Sequence, residues 1–296
     1  MVSDKYFLSE KKPELNQEKL VSIVRRALIE DIGKGDITTQ LTIPANKKIK
    51  ANLLVKEKEG CVVCGLKVAE TAFKSVDSKV KFKKLVKEGE EAASGAIIAQ
   101  VYGKASSILS AERVALNLLA MLSGVATKTR EYVEHIEPHR TKITDTRKTF
   151  PGLRELQKYA VRVGGGSSHR MSLDEMILIK DNHIKVTDGY DRLPRVPKGF
   201  KIEVEVQNLD EFRHALRFKP DVIMLDNMSI EDIKEAVKIR NNTEFKSHHP
   251  PTKLEASGGV DFNTVKEIAA AGVDIISIGA LTHDVKSSDI SLEVQK

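Results

Sequence analysis

Residues 142–184 read KITDTRKTFPGLRELQKYAVRVGGGSSHRMSLDEMILIKDNHI, and this stretch decides the fold. KITDT and EMILIK are short β-branched, strand-like runs; PGLRELQKYAV between them has helical spacing. Three consecutive glycines, 164–166, follow the helical segment. Arg147, Lys148, His169, Arg170, Lys180 and His183 cluster around the glycines and the ends of the strand-like runs. Cations at strand ends beside a glycine turn suggest a pocket for a small, highly anionic ligand, a different object from a basic surface for nucleic acid.

Outward from this stretch the alternation continues. KIEVEV, DVIMLDN, TKLEASG and DIISIGA are further strand-like runs, separated by the helical segments LDEFRHALRF, SIEDIKEAVKI and NTVKEIAAAG. Strand–helix alternation implies parallel βα units. Six clear strands, with a seventh near residues 166–170, predict a TIM-like α/β barrel with fewer than eight strands; a doubly wound open sheet is the runner-up. Polar residues end nearly every run: Asp145-Thr146-Arg147, Lys180-Asp181-Asn182, Glu205, Asp226-Asn227, Ser257-Gly258-Gly259 and Ser277-Ile278-Gly279. In a barrel these ends all converge on one mouth, whereas in an open sheet only those near the switch point meet a ligand. The pattern favours the barrel.

The first third reads differently. Leu20, Ile23, Val24, Ala27 and Leu28 predict a helix over residues 16–32, ended by GKGD; KIKANLLVKEKEG, KVKFKKLVKEGEEA and IIAQVYGKA then alternate as strands. This predicts an α+β module with an antiparallel sheet. Val114, Leu118, Met121 and Leu122 place one long helix over residues 111–136. The 296 residues accommodate one large α/β domain and a smaller one. No uninterrupted apolar run reaches the ~20 residues that span a bilayer. MVSDKYFLSEKKPEL lacks a signal-peptide core, which points to the cytoplasm. The net charge of +6 comes without Trp and without a dense Lys/Arg tract, which argues against nucleic-acid binding. Cys61 and Cys64 form a CxxC with no second ligand pair nearby, and read as two buried apolar thiols.

The glycines that close the last two strands suit phosphate, because glycine lets backbone N–H groups approach it. Arg147, Lys148, Arg170 and Lys180 repel one another unless a polyanion compensates them. Arg offers bidentate contacts to carboxylate or phosphate and Lys a point charge. Glu205 and Asp226 end neighbouring apolar runs, as partners of these cations or as ligands of a hard divalent ion. Glu203 shares a face with Glu205, and spacing alone does not choose between them. His169 is a candidate acid/base or positioning donor; His135, His139, His248 and His249 lie in polar stretches and receive no role.

TDTRKTFPGLRELQKYAVRVGGGSSHR followed by ILIKDNHI closely resembles the quinolinate phosphoribosyltransferase family. EDIGKGDITT, ERVALNLLAMLSGVAT, EVEV, MLDN, EASGG and IGALTH extend the resemblance in order over nearly the whole chain. It implies an N-terminal α/β sandwich domain, residues 1–125, joined by the tail 286–296, and an α/β barrel over residues 126–285. It implies transfer of phosphoribosyl from phosphoribosyl pyrophosphate to quinolinate with loss of CO2, giving nicotinate mononucleotide and pyrophosphate, with Mg2+ required. It further implies a homodimer, open to assembly into hexamers, in which Arg113 enters the partner's site.

By the same resemblance Arg113, Thr146, Arg147, Lys148, His169, Arg170 and Lys180 surround the substrates. Lys148, Glu205 and Asp226 are the catalytic set, with Glu205 chosen over Glu203 by register, and the two acids lie near the ribose and Mg2+. Ser257, Gly258, Gly259, Ser277, Ile278 and Gly279 form the phosphate loops. A related family associated with molybdenum transport shares the RKT-PG and GGG-HR skeleton, and the KDNH at residues 180–183 favours the quinolinate enzyme. A barrel that binds a phosphorylated metabolite without turnover is the non-enzymatic alternative. Residues 241–253 do not align and read as a surface loop.

Overall fold

A computed structural model describes residues 13–186, 197, 199–242 and 252–295. The middle of the 241–253 loop lies outside the described residues. Two compact units divide the chain: Lys12–Arg130, Thr149–Gly165 and Leu281–Lys296 in one, Glu131–Lys148 and Gly166–Ala280 in the other.

The first unit begins with α1 (Gln17–Ile32), where the Asn16 side chain accepts from Lys19 N–H and caps the helix start. Leu20, Ile23, Val24 and Leu28 are its buried stripe, the set that its sequence spacing selects. Gly33, at φ 54°, ends it. Then follow α2 (Ile37–Thr42), β1 (Lys48–Val55), β2 (Cys61–Val62), α3 (Leu66–Val76), β3 (Lys81–Lys84), β4 (Glu91–Ala92), β5 (Ile97–Lys104) and α4 (Ala105–His135). The long helix starts six residues before its apolar repeat does. By length and composition α4 could cross a membrane, but 61% of its most apolar stretch is buried inside the protein, the pattern of a core helix.

The second unit continues the chain with β6 (Lys142–Thr144), after which α5 (Arg154–Val163) returns to the first unit. Then come β7 (Ile177–Ile179), α6 (Asp181–Val186), β8 (Ile202–Val206), α7 (Leu209–Arg217), β9 (Val222–Asp226), α8 (Ile230–Asn241), β10 (Lys253–Ser257), α9 (Val265–Ala270) and β11 (Ile275–Ser277). The chain finishes with α10 (Ala280–His283) and β12 (Ile290–Val294).

β12 pairs antiparallel with β1, giving the sheet order β12-β1-β5-β3, while β2 and β4 form a two-stranded ribbon. The return of the tail strand supplies the outer partner that β1 would otherwise lack. Cys61 and Cys64 are buried free thiols. Burial pushes the pKa of both up, which keeps them protonated and inert. Gly124 on α4 lies against the returning tail: a Cβ there would stand 2.1 Å from the Lys286 carbonyl oxygen. Gly124→Ala is therefore expected to destabilise the first unit by about 1–3 kcal/mol through overpacking. A fall in thermal midpoint would register it, with faster amide exchange in β12.

The second unit carries a parallel sheet in the order β6-β11-β10-β9-β8-β7. From β7 to β11 successive strands are neighbours, and the first strand, β6, lies beside the last, β11. An open doubly wound sheet reverses direction at a switch point; this singly wound order is that of a TIM-like barrel. Ser167 bridges Thr144 in parallel, so the seventh strand-like segment adds beyond β6 as an isolated bridge. All five residues of β8 are buried, including Glu203 and Glu205. One face of a barrel strand meets the helices and the other the interior, so both faces are shielded from water.

Candidate active site

Among the described residues, Asp145 organises the approach to the site. It is fully buried at the end of β6, and its carboxylate accepts from the His169 N–H at 2.9 Å and the Ser168 hydroxyl at 3.1 Å. The glycine-rich segment is thereby tied to the strand carrying Thr146-Arg147. Lys148 follows exposed, with its N–H donated to the Thr146 hydroxyl. Arg170 is 5% exposed and donates through Nη1 to the Met176 carbonyl. Burial, and then the neighbouring Arg147 guanidinium, pull the Arg170 pKa down, with Glu203 opposing. Arg147 is thus near enough to act on the buried Arg170 guanidinium.

Lys180, at the end of β7, donates to Glu205 Oε2 at 2.6 Å. Glu205 on β8 is 7% exposed. Asp226 ends the adjacent strand β9, half-buried, and accepts from the Asn227 side chain at 2.9 Å. Asp226 stands beside Ser257 in the ladder, and Asn227 N–H donates to the Ser257 carbonyl. The β9 acid and the first glycine loop are consequently one assembly. Gly258 and Gly259 have φ of 85° and 60°, the left-handed region that glycine adopts without a side-chain clash. Ile278 N–H donates to the Thr144 carbonyl, which fixes the second glycine loop against β6.

Three further residues of the expected set, His169, Ser277 and Arg113, are placed as follows. The His169 ring is almost wholly buried, with Nε2 3.0 Å from Glu203 Oε2 and Nδ1 accepting from Arg170 N–H at 2.8 Å. Ser277 is 2% exposed, and its hydroxyl faces Glu255, without a hydrogen bond of good geometry, rather than solvent. Arg113 is exposed on α4, in the first unit. Sequence reading passed over Glu255 as a working residue and named Asp145 and Asn227 only as polar strand ends. The available signal was an acid inside an apolar run, as in EVEV and LEAS, where a surface strand would alternate more freely.

A buried Arg170 guanidinium with Arg147 near it, the Lys180–Glu205 pair and glycine loops at the ends of parallel strands are the arrangement of a barrel enzyme. The chain belongs to the quinolinate phosphoribosyltransferase family. Residues 36–123 match that family's N-terminal domain and residues 125–293 its C-terminal domain. A probable nicotinate-nucleotide pyrophosphorylase (carboxylating) of Methanocaldococcus jannaschii is 44% identical over 280 residues, covering 93% of this chain and 96% of that one. The nicotinate-nucleotide pyrophosphorylase (carboxylating) of Mycobacterium leprae is 38% identical, covering 92% and 95%. The structure of the nicotinate-nucleotide pyrophosphorylase from Francisella tularensis superposes with a TM-score of 0.86 at 39% identity, covering 97% of this chain and all of that one. Human nicotinic acid phosphoribosyltransferase, at 12% identity and a TM-score of 0.54, shares the fold alone.

Proposed function

We propose that the protein transfers phosphoribosyl from phosphoribosyl pyrophosphate to quinolinate with loss of CO2, giving nicotinate mononucleotide and pyrophosphate for de novo NAD synthesis. Family membership supports this reading, and one observation of the site carries the substrate choice. Arg147 lies close enough to disfavour the charge of Arg170. A ligand with two adjacent carboxylates relieves that repulsion with two guanidinium forks. A monocarboxylate would satisfy one.

The reading includes Mg2+. The donor set fits it: Glu205 and Asp226 offer hard carboxylate oxygens from adjacent strands, and Mg2+ takes one or two carboxylates with phosphate oxygens and water. Bound there, Mg2+ would neutralise charge on the leaving pyrophosphate. In this proposal Arg147, Arg170, Lys148 and Thr146 hold quinolinate, with Lys180 pairing Glu205 and orienting it. The residues 257–259 and 277–279 hold the 5′-phosphate, the latter through main chain. Glu205 and Asp226 stabilise positive charge on the ribose as its bond to pyrophosphate breaks. The ring nitrogen bonds to C1 of the ribose as pyrophosphate leaves; the 2-carboxylate then departs as CO2, its electron pair stays on C2 beside the positive ring nitrogen, and C2 takes up a proton from water.

The reading also includes a homodimer in which the partner's Arg113 completes the site, and a cytoplasmic location. Arg113 is exposed on α4, as a residue contributed to a partner must be. Some plant relatives carry names that place those proteins in chloroplasts or mitochondria.

Incubation of purified protein with quinolinate, phosphoribosyl pyrophosphate and Mg2+ tests the reading. Equal yields of CO2 and nicotinate mononucleotide are expected. Binding without either product would overturn it in favour of a non-catalytic barrel. Use of nicotinic acid in place of quinolinate would overturn the substrate.

Gly258→Ala probes the phosphate loop. A Cβ at this position would meet the Asn227 side chain at 2.5 Å, at a φ that alanine disfavours. Displaced Asn227 would also release Asp226. The Michaelis constant for phosphoribosyl pyrophosphate is expected to rise roughly tenfold or more, since ~1.4 kcal/mol corresponds to a factor of ten. Steady-state kinetics at saturating quinolinate would show it.

A further inference from the structure

One layer beneath the mouth, His169, Glu203 of β8 and Glu255 of β10 meet in the barrel interior. Glu203 and Glu255 each precede a mouth residue, Glu205 and Ser257, by two positions on its strand, so their side chains share its face. Both glutamates are completely buried and His169 is 4% exposed. His169 Nε2 lies 3.0 Å from Glu203 Oε2 and 3.8 Å from Glu255 Oε1. Neither Glu255 oxygen, nor Glu203 Oε1, meets a hydrogen-bond donor among the described residues.

The proton positions follow from the bonds. Arg170 N–H donates to His169 Nδ1, so Nδ1 carries a lone pair and the ring proton sits on Nε2, directed at Glu203. That proton leaves Nε2 no lone pair for a metal ion, although the three groups have the spacing of a ligand set. Two dry carboxylates side by side each disfavour the other's ionised form.

We propose that Glu255 is kept neutral beside Glu203 and that Glu203 fixes His169 as the Nε2–H tautomer, a positioning device that limits the negative charge set against Arg170 and a dicarboxylate substrate. The proposal rests on the functional reading above and deepens it. His169–Glu203–Glu255 then carries one negative charge instead of two. A second negative charge on this cluster, whose His169 ring accepts from the Arg170 N–H and whose Glu203 acts on the Arg170 guanidinium, would offset the field that draws the substrate. Burial first, and Glu203 second, push the Glu255 pKa up to about 8, against the downward pulls of His169, Ser277 and Lys180. Its ordinary value is 4.5. Glu255 therefore adds stability fully below pH 4.5, and that contribution is lost as pH rises through about 8.

Glu255→Gln, neutral at every pH and able to donate an amide N–H to Glu203, separates the cases. In the wild-type protein the quinolinate KM is expected to rise about tenfold between pH 7 and 9, as one group ionises near 8. Glu255→Gln should lack that rise, and its thermal midpoint should fall less than wild type between pH 4.5 and 8. Nitrogen-15 spectra of histidine-labelled wild-type protein should show His169 protonated at Nε2 alone at pH 7. An imidazolium or an Nδ1–H tautomer would overturn the proposal, as would an alkaline KM rise of equal size in both proteins. The spectra and melting curves need no substrate. They decide the cluster even if quinolinate is not turned over, a result that would overturn the functional reading by itself.

Discussion

Arg147→Ala should lower kcat/KM for quinolinate by roughly 10²–10⁴-fold, because two charge-assisted hydrogen bonds of ~1.5–3 kcal/mol each would be lost. The size follows from the setting. Arg147 stands beside Arg170 at a partly dry mouth, where water replaces a lost ligand contact poorly. Folding should survive the change, and the thermal midpoint should hold or rise slightly, because removing Arg147 removes its repulsion of Arg170. Arg147→Lys should recover only part of the loss, since an ammonium cannot form the two-pronged contact. Measuring kcat/KM beside the melting curve checks the assignment. A folded Arg147→Ala protein with wild-type quinolinate turnover would exclude Arg147 from the site.

Glu205→Ala should act on kcat rather than on quinolinate binding. In the proposed reaction positive charge appears on the ribose only as its bond to pyrophosphate breaks, and a preorganised carboxylate at that point is worth roughly 10²–10³ in rate. Glu205 is positioned by a 2.6 Å bond from Lys180, so the same substitution frees Lys180. Lys180 is 43% exposed and can be rehydrated, which limits the damage to the fold. A Lys180→Met protein provides the comparison, keeping Glu205 but removing its support. It should lose less than Glu205→Ala, and Mg2+ titrations of both proteins would show whether the loss lies in metal affinity or in the chemical step. A Glu205→Ala protein with unchanged kcat would exclude the carboxylate from the reaction.

Much of this architecture was legible in the residue order. Short β-branched runs alternating with helical spacing give βα units without reference to any contact, as in KIEVEV followed by LDEFRHALRF, which became β8 and α7. The return of residues 290–294 to β1 was not legible from local pattern, because ISLEV carries no mark of the strand it pairs with. The start of α4 was likewise obscured: residues 105–110, ASSILS, lack a clean apolar repeat, and the structure carries the helix through them. α3 was passed over because the glycine turn at Gly65 hid its beginning, although Leu66, Ala69 and Phe73 form its buried stripe.

The site divides in the same way. The sequence by itself determined that cations, acids and glycines end successive strands, because strand periodicity assigns faces and breaks mark ends. It also carried the family motifs, which are contiguous along the chain. Only the tertiary structure decided which of these groups share a volume and which are dry. Residues 169, 203 and 255 are far apart in the chain, and nothing in their local neighbourhoods records that they touch. Their burial arises when the parallel sheet winds round and water leaves its interior. That step placed the His169 ring between Glu203 and the Arg170 backbone, and joined Glu205 to Lys180.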